Sequence, residues 1–289
     1  MANKGKIFIV YHINEKPIQS DIYQPIAVGP KKDNFSNDFL KDDVGENIAD
    51  KNQYYNELTA IYWVYKHIDE FKDYEYIGFE HYRRLFCFNH LDQSVYVKKN
   101  LKEDYISIDN SKLERIFNDF DLIVPYPNRY KSVKRHYEKA HNDVDVDIIL
   151  DIIKKDYPKL YKVADEYFIN QYEYSYNMFV FKKDDFVKYS SFIFDVLEKF
   201  INIKKEIDRL YISERLTGIY INYLISSGFR PLKLPVLHIR KKSFKKSIDQ
   251  VDDNFKKGKD NGFIYKCKSL WLFLMPRWFE QLLRRNKTK

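Results

Sequence analysis

The chain has 289 residues, of which 44% are hydrophobic, and this is enough to bury the core of one large domain or two small ones. Its two cysteines, Cys87 and Cys267, lie far apart and form no CxxC pattern, which excludes a disulfide scaffold and a cysteine-based zinc site. The formal net charge of +8 is uneven, because residues 230–289 contain 17 Lys and Arg against 5 Asp and Glu.

The sequence predicts strands near its start, and it shows neither a signal peptide nor a membrane-spanning segment. Residues 6–11 (KIFIVY) predict a buried strand that ends before His12, and residues 25–29 predict a short second strand. No apolar signal core precedes them, and no run approaches the roughly 18 apolar residues that a membrane span needs. The usual glycine-rich dinucleotide and P-loop motifs do not occur. We therefore expect a cytosolic protein.

The stretch from residue 50 to residue 86 predicts one helix, one turn and one strand. Asp50 and Gln53 have the spacing of a capping box at a helix start. Apolar residues then recur at helical spacing, and residues 76–79 predict a short buried strand. A carboxylate, an imidazole, a phenol and two guanidinium groups follow directly, at residues 80–84. Because ligands bind beyond the carboxyl ends of strands in open α/β sheets, this cluster indicates an anion site.

The rest of the chain up to about residue 240 continues to alternate helices and strands. This alternation predicts an α/β sheet. The predicted helices cover residues 113–120, 146–157, 186–200 and 214–226, and the predicted strands cover residues 121–125, 177–182 and 236–239.

Several segments resemble a bacterial family of capsule and exopolysaccharide glycosyltransferases, related to galactosyl- and galactofuranosyltransferases and long catalogued as a domain of unknown function. The segments are NIADKNQYYNELTAIYWVYKH followed by YIGFEHYRR, with residues 157–158, 177–179 and 213–216. The resemblance implies a GT-A-like (Rossmann-like) mixed sheet flanked by helices over residues 1–240. It also implies a nucleotide-sugar donor.

The donor side of such a site needs positive charge where the diphosphate leaves, and Arg83 and Arg84 supply it. Many GT-A enzymes place an Asp-x-Asp metal motif where this chain has Glu80 and His81. Either these two side chains, with His238, bind Mn²⁺ or Mg²⁺, or the arginines replace the metal. A surface salt-bridge cluster is the structural alternative. With the resemblance, the predicted donor-binding residues are Tyr11, Asn47, Lys51, Asn52, Tyr55, Glu57, Tyr82, Arg83 and Arg84.

The acceptor side is predicted at the later segments. A transferase that inverts the sugar needs a carboxylate to take the proton of the acceptor hydroxyl. Glu214 is the first choice for that base, with His81 and Glu80 as further catalytic candidates, although Glu214 and Arg215 also suit a surface pair at a helix start. The resemblance places Tyr137, His141, Asn177 and Met178 near the sugar or the acceptor.

Two acidic and histidine patterns are set aside as metal sites. Residues 143–147 contain Asp-x-Asp twice, but no apolar strand precedes them, and the acids suit the start of a helix near Val146. His136 and His141 lie five residues apart, whereas side chains on one helix face are spaced three or four apart.

Residues 241–289 predict a basic amphipathic helical tail. Residues 269–285 (SLWLFLMPRWFEQLLRR) join an apolar run to two tryptophans and terminal arginines, which suits an interfacial helix attracted to anionic lipid. A docked C-terminal helix with a solvated basic face is the alternative.

The combined hypothesis is transfer of a sugar from a uridine diphosphate sugar to a lipid-linked oligosaccharide at the inner face of the membrane. Galactose, in pyranose or furanose form, is implied by the resemblance alone. The alternatives are a noncatalytic scaffold of a polysaccharide assembly complex and a basic nucleic-acid-binding protein. No known nucleic-acid-binding motif supports the last one.

Overall fold

The computed structural model describes residues 4–89, 94–98, 103–205 and 209–240. Within these ranges, the strands in chain order are β1 (Lys4–Tyr11), β2 (Tyr23–Ala27), β3 (Leu40–Lys41), β4 (Tyr74–His81), β5 (Arg84–Phe86), β6 (Val95–Lys98), β7 (Leu122–Pro125), β8 (Asn128–Arg129), β9 (Tyr172–Glu173), β10 (Phe179–Lys182), β11 (Pro231–Leu234) and β12 (Val236–Arg240).

A mixed sheet forms the centre of the fold, with the strand order β11-β7-β10-β4-β1-β2-β3. The strand β4 pairs in parallel with β1 on one side and antiparallel with β10 on the other. Beyond β4, β5 turns back and pairs with β12, which also pairs with β6. A separate antiparallel pair joins β8 to β9. The mixed pairing brings the end of β4 beside the start of β10.

The helices in the described ranges cover both faces of this sheet, which is why β1 is buried along nearly its whole length. One face packs Phe8, Ile77 and Phe179 against helical side chains such as Leu58 and Ile193. In chain order the helices are α1 (Asn52–Tyr55), α2 (Leu58–Lys66), α3 (Glu103–Ile106), α4 (Asn110–Asp119), α5 (Val133–Glu138), α6 (Val144–Asp156), α7 (Pro158–Ile169), α8 (Lys183–Lys204) and α9 (Ser213–Ser226).

The predicted single helix after Asp50 is wrong, because the structure breaks it at Asn56. A 3-10 turn (Ala49–Lys51) leads into α1, and Asn56 then adopts φ 50° and ψ −124° before α2 begins. The expected capping box is absent, since no side-chain cap bond is made at the start of this helix. The break leaves Glu57 between the two helices, at the edge of the sheet.

The predicted strand at residues 76–79 is confirmed but is longer, since β4 runs on through Glu80 and His81. Successive side chains of a strand point to opposite faces of the sheet. Phe79 and His81 therefore share one face, and Glu80 lies on the other with Tyr76. The polar cluster that looks continuous in the sequence is divided by the sheet.

Other predicted elements are confirmed with shifted ends. The helix expected from residue 146 begins at Val144, and its Asp145 is buried rather than exposed at a cap. The helix α7 and the strand β11 were not predicted. No described helix is long and apolar enough to cross a membrane. The predicted tail, residues 241–289, lies outside the described residues.

Gly78 at the centre of β4 provides a test of this packing. A Cβ atom there would lie 2.8 Å from Val180 Cγ2 and 3.0 Å from the Phe179 backbone oxygen. We expect Gly78→Ala to lower the free energy of unfolding by about 1–3 kcal/mol, because overpacking forces the backbone to move. Adding Val180→Ala should recover part of this loss. Denaturant unfolding of both single variants and the double variant measures the coupling free energy between positions 78 and 180. Strictly additive losses of unfolding free energy would contradict the predicted overpacking.

Candidate functional site

Three parts of the chain meet at the carboxyl end of β4. His81 ends this strand, the segment before β10 brings Asn177 beside it, and the first turn of α9 brings Glu214. The contact of His81 with the Tyr176 backbone joins positions 95 residues apart, and the contact of Asn177 with Ser213 joins positions 36 residues apart. The mixed sheet thus assembles the site from segments that the sequence shows only separately.

Asn177 connects these segments through its buried side-chain amide. Its Nδ2 donates to Glu57 Oε1 at 2.9 Å and to Ser213 Oγ at 3.2 Å, and its Oδ1 accepts from Thr217 Oγ1 at 2.6 Å. The backbone is in the left-handed region at both Tyr176 (φ 82°) and Asn177 (φ 49°). Residues other than glycine are held there only when surrounding contacts require it. The amide therefore fixes the segment before β10 against α9.

His81 is held as a neutral imidazole. Its Nε2 donates to the backbone carbonyl of Tyr176, which leaves Nδ1 with a lone pair. Burial, together with the nearby Arg84 guanidinium, lowers the pKa of His81 to about 4. That guanidinium lies over the Tyr176 ring, 4.5 Å from its centroid. At neutral pH the positive charge here comes from Arg84 and not from the imidazole.

Two carboxyl groups face this arginine. Burial raises the pKa of Glu57, and the hydrogen bond from Asn177 and the charge of Arg84 oppose the shift. Burial also raises the pKa of Glu214; Arg215 lowers it, and the negative charge of Glu57 raises it again. A carboxyl whose pKa is raised toward neutrality is suited to exchange a proton. The role of Glu214 as a base stays a prediction. Glu57, whose charge acts on Glu214, is a second carboxyl at the same place.

The other predicted donor-binding residues lie in varied surroundings. Tyr11 is buried and its hydroxyl accepts from the Ile18 amide at 3.0 Å, while the buried Tyr82 hydroxyl lies 3.3 Å from His12 Nε2. Arg83 is exposed, with its guanidinium 5.0 Å from the centroid of the Tyr82 ring. Arg83 is thus accessible at the β4–β5 turn, and the buried Tyr82 ring lies beside its guanidinium.

Most of the predicted donor-binding residues around the helix start make local hydrogen bonds or pack in the core. Asn47 Oδ1 accepts from the Ala49 amide, and Asn52 Nδ2 donates to the Asn56 carbonyl and to Thr59 Oγ1. Tyr55 is buried in the core. Lys51 is exposed and retains an accessible charge.

The predicted acceptor residues divide into buried and accessible ones. Tyr137 is 2% exposed and donates to Asp145 Oδ2 at 2.7 Å, and Met178 is also buried in the core. His141 is partly exposed and stacks on the Tyr211 ring at 4.3 Å. Tyr137 therefore supports the site from beneath, where its ring lies under the Arg215 guanidinium.

The residues predicted to hold a metal do not fit one. Glu80 is fully buried among apolar residues on the opposite face from His81, so the two side chains cannot bind one ion together. Burial raises the pKa of Glu80 well above its ordinary value. His238 lies on β12, in edge contact with the Tyr176 ring at 5.7 Å. Across the described ranges, no three His, Cys, Asp or Glu side chains converge as a metal site would require.

A shallow cavity of about 810 Å³ opens at the other end of the sheet, where β1 and β4 begin. Its charges are largely balanced, since Lys182 pairs with Asp121 and Lys188 with Asp185. We place the site at the carboxyl end of β4 instead, because ligands bind there in open α/β sheets and the perturbed carboxyls lie there.

Comparison with known proteins assigns the chain to a family. Residues 6–225 match the family model described as a domain of unknown function, DUF4422. The chain belongs to the DUF4422 family. No curated protein matches the chain.

The DUF4422 chain is similar in structure to WbbM, a bifunctional glycosyltransferase solved in its apo form. The TM-score is 0.72 and the sequence identity is 27%. The alignment covers 84% of this chain and 46% of the WbbM chain, so this chain spans less than half the length of that protein. The predicted GT-A-like fold, a mixed sheet flanked by helices, is confirmed.

Sequence reasoning missed Glu173, His136 and Tyr130, which lie beside Glu214 and Arg215. Arg215 Nη2 lies 3.2 Å from Glu173 Oε1, and His136 Nδ1 lies 2.8 Å from Glu173 Oε2. The short strand β9 that positions Glu173 has no periodic pattern, and only an alignment of related sequences would have offered a signal.

The low pKa of His81 predicts a specific pH dependence of stability. Since the folded-state pKa of about 4 lies below the ordinary 6.5, the unfolded chain binds this proton first as the pH falls. The contribution of neutral His81 to the free energy of unfolding is therefore complete above about pH 6.5 and is lost as the pH falls toward 4. We expect His81→Asn to show a flatter decline of unfolding free energy between these pH values than the unchanged protein. Urea unfolding across the window measures this, and parallel curves would contradict the burial of a neutral imidazole.

Proposed function

We propose that this DUF4422 protein is a glycosyltransferase that moves a sugar from a nucleotide sugar to an acceptor hydroxyl. The observation that supports this most is the pair of carboxyls, Glu57 and Glu214, facing Arg84 at the carboxyl end of β4. Similarity to WbbM places this arrangement on a GT-A-like fold. Glycosyl transfer needs a proton acceptor and a positive charge near each other, and this edge of the sheet supplies both.

In this proposal Glu214 is the general base. A base must reach the proton that it removes, and Glu214 lies in the first turn of α9, where it is partly exposed rather than sealed in the core. Burial raises the pKa of Glu214, and the negative charge of Glu57, which Asn177 holds at 2.9 Å, adds to this shift. The acceptor oxygen attacks the anomeric carbon as its proton passes to Glu214, and the bond to the diphosphate breaks.

The departing diphosphate takes the bonding electrons and needs stabilisation. Arg83 and Arg84, which flank the β4–β5 turn, are the proposed donors. Arg84 is held in place over Tyr176, whereas Arg83 is exposed and able to reach outward.

We propose uridine diphosphate as the carrier and a lipid-linked glycan as the acceptor. We also propose a cytoplasmic protein that associates with the membrane through residues 241–289.

Calorimetric titration of uridine diphosphate into the full chain, with and without Mn²⁺, tests the donor site. We expect micromolar binding, and we expect Arg83→Ala to weaken it at least tenfold because a charge-assisted contact to phosphate is lost. Arg129→Ala is the matched control, since this exposed arginine contacts Gln171 on the separate β8–β9 pair. Equal affinity in the two variants would contradict the assignment of Arg83.

Replacing the proposed base separates chemistry from binding. We expect Glu214→Gln to lower the transfer rate by about 100-fold or more, since general-base catalysis contributes about that much. Uridine diphosphate affinity should stay nearly unchanged. Glu166→Gln on the exposed face of α7 is the control. Radiolabelled sugar transfer to isolated lipid-linked acceptor measures the rate, and donor binding without any transfer by the unchanged protein would favour a scaffold.

A further inference from the structure

Glu173 is a buried carboxylate with both oxygens occupied. It is 1% exposed on β9. Its Oε1 accepts from Ser175 Oγ and from Arg215 Nη2, each at 3.2 Å, and its Oε2 lies 2.8 Å from His136 Nδ1. A carboxylate held in this way orients whatever it contacts, because it cannot rotate without leaving buried donors unpaired.

The contact with Glu173 selects one tautomer of His136. The Nδ1 atom has two neighbours, Glu173 Oε2 at 2.8 Å and Arg215 Nη2 at 3.3 Å. Glu173 can only accept a hydrogen bond when ionised, so the shorter contact requires a proton on Nδ1. Arg215 Nη2 already has Glu173 Oε1 as an acceptor and does not need the imidazole. In the neutral ring Nε2 is therefore left with a lone pair.

The ring of His136 is partly accessible. Its side chain is 35% exposed even though Nδ1 faces a buried carboxylate, and Nε2 is the ring nitrogen farther from that contact. One face of the ring stacks on Tyr130, with centroids 3.6 Å apart and an interplanar angle of 9°. The two rings are stacked face to face, and the exposed side of this stack is a surface with a hydrogen-bond acceptor at its edge.

This surface lies next to the proposed base. The guanidinium of Arg215 contacts both His136 and Glu214, with Nη1 3.4 Å from Glu214 Oε2. The charges of Glu173, Arg215 and Glu214 all act on the phenol of Tyr130, which places that ring beside the same groups. A molecule resting on the stack would have Glu214 within reach.

We propose that the Tyr130–His136 stack, fixed by Glu173, is an acceptor subsite that binds an uncharged sugar ring through one of its hydroxyl groups. This inference rests on the proposed function, because it names the chemistry of the acceptor. A hydroxyl donates to the lone pair on Nε2, and the apolar C–H groups of a pyranose ring contact the adjoining edge of the tyrosine. A phosphate group has no apolar face for the tyrosine, and the lone pair on Nε2 repels its negatively charged oxygens.

Nitrogen-15 NMR of the full chain labelled at histidine tests the tautomer directly. The chain has seven histidines, and the signal lost in His136→Asn assigns this residue. At pH 8 we expect a proton on Nδ1 and none on Nε2. In Glu173→Gln the amide donates to Nδ1 in place of accepting, so the proton should move to Nε2. A proton on Nε2 in the unchanged protein would overturn the proposal.

Titration of methyl hexopyranosides, and separately of inorganic phosphate, tests the ligand class. We expect at least one glycoside to shift the His136 signal, and phosphate not to shift it. Glu173→Gln should weaken the glycoside response about tenfold, which is what one neutral hydrogen bond is worth. Glu166→Gln, an equal change on the exposed face of α7, should leave it unchanged. A response to phosphate alone, or to neither probe, would overturn the subsite.

The two proposals fail separately. Loss of uridine diphosphate binding and transfer in the unchanged protein would remove the transferase proposal, yet a glycoside response at His136 would still support the subsite. Transfer that proceeds normally while the glycosides leave His136 unaffected would remove the subsite alone. Far-ultraviolet circular dichroism of Glu173→Gln shows that the variant is folded, so a lost response is not mistaken for unfolding.

Discussion

The side-chain amide of Asn177 is the contact on which the rest of the site depends. It joins Glu57 at the helix break to Ser213 and Thr217 in α9. Removing such an amide leaves buried partners unpaired, which costs more than the bond itself contributes. The left-handed backbone at Tyr176 and Asn177 is the conformational cost of placing this amide at the end of β4.

From this contact the electrostatics of the site follow. The Tyr176 carbonyl, displaced by the same backbone turn, accepts a hydrogen bond from His81 and orients that ring, while burial lowers its pKa and keeps it neutral. Arg84 packs against the Tyr176 ring and becomes the fixed positive charge. Because Glu57 is held by the amide and not by an arginine, its negative charge remains available to act on Glu214. One short irregular segment thereby positions His81, Glu57 and Arg84 relative to one another.

Much of the architecture was readable in the sequence because its strands are continuous apolar runs. The strands β1, β4 and β7 are buried on both faces, and such runs are recognisable without an alignment. The helix break at Asn56 was not readable, since residues 52–66 have unbroken helical periodicity and only tertiary contacts require the turn.

The candidate site was only partly predictable for the same reason. The sequence places Glu80 and His81 together after a presumed strand end, whereas two more residues of strand pairing separate them by the thickness of the sheet. Arg84 and Glu214 were found because they adjoin recognisable elements. Glu173 and His136 were not, because their pairing joins a two-residue strand to a six-residue helix 37 positions away.

Side chains alternate between the two faces of β4, so the register of this strand determines which ionisable group faces the site. Ile9 pairs with Glu80 and Val10 with His81, so the site receives the imidazole and the apolar side receives the carboxyl. Sliding β4 by a single position would exchange them, because the side-chain period of a strand is two residues. A neutral nitrogen base would then be replaced by an acid at the same place, and the imidazole would be sealed among apolar side chains. The chemistry of this edge is in that sense a property of strand alignment.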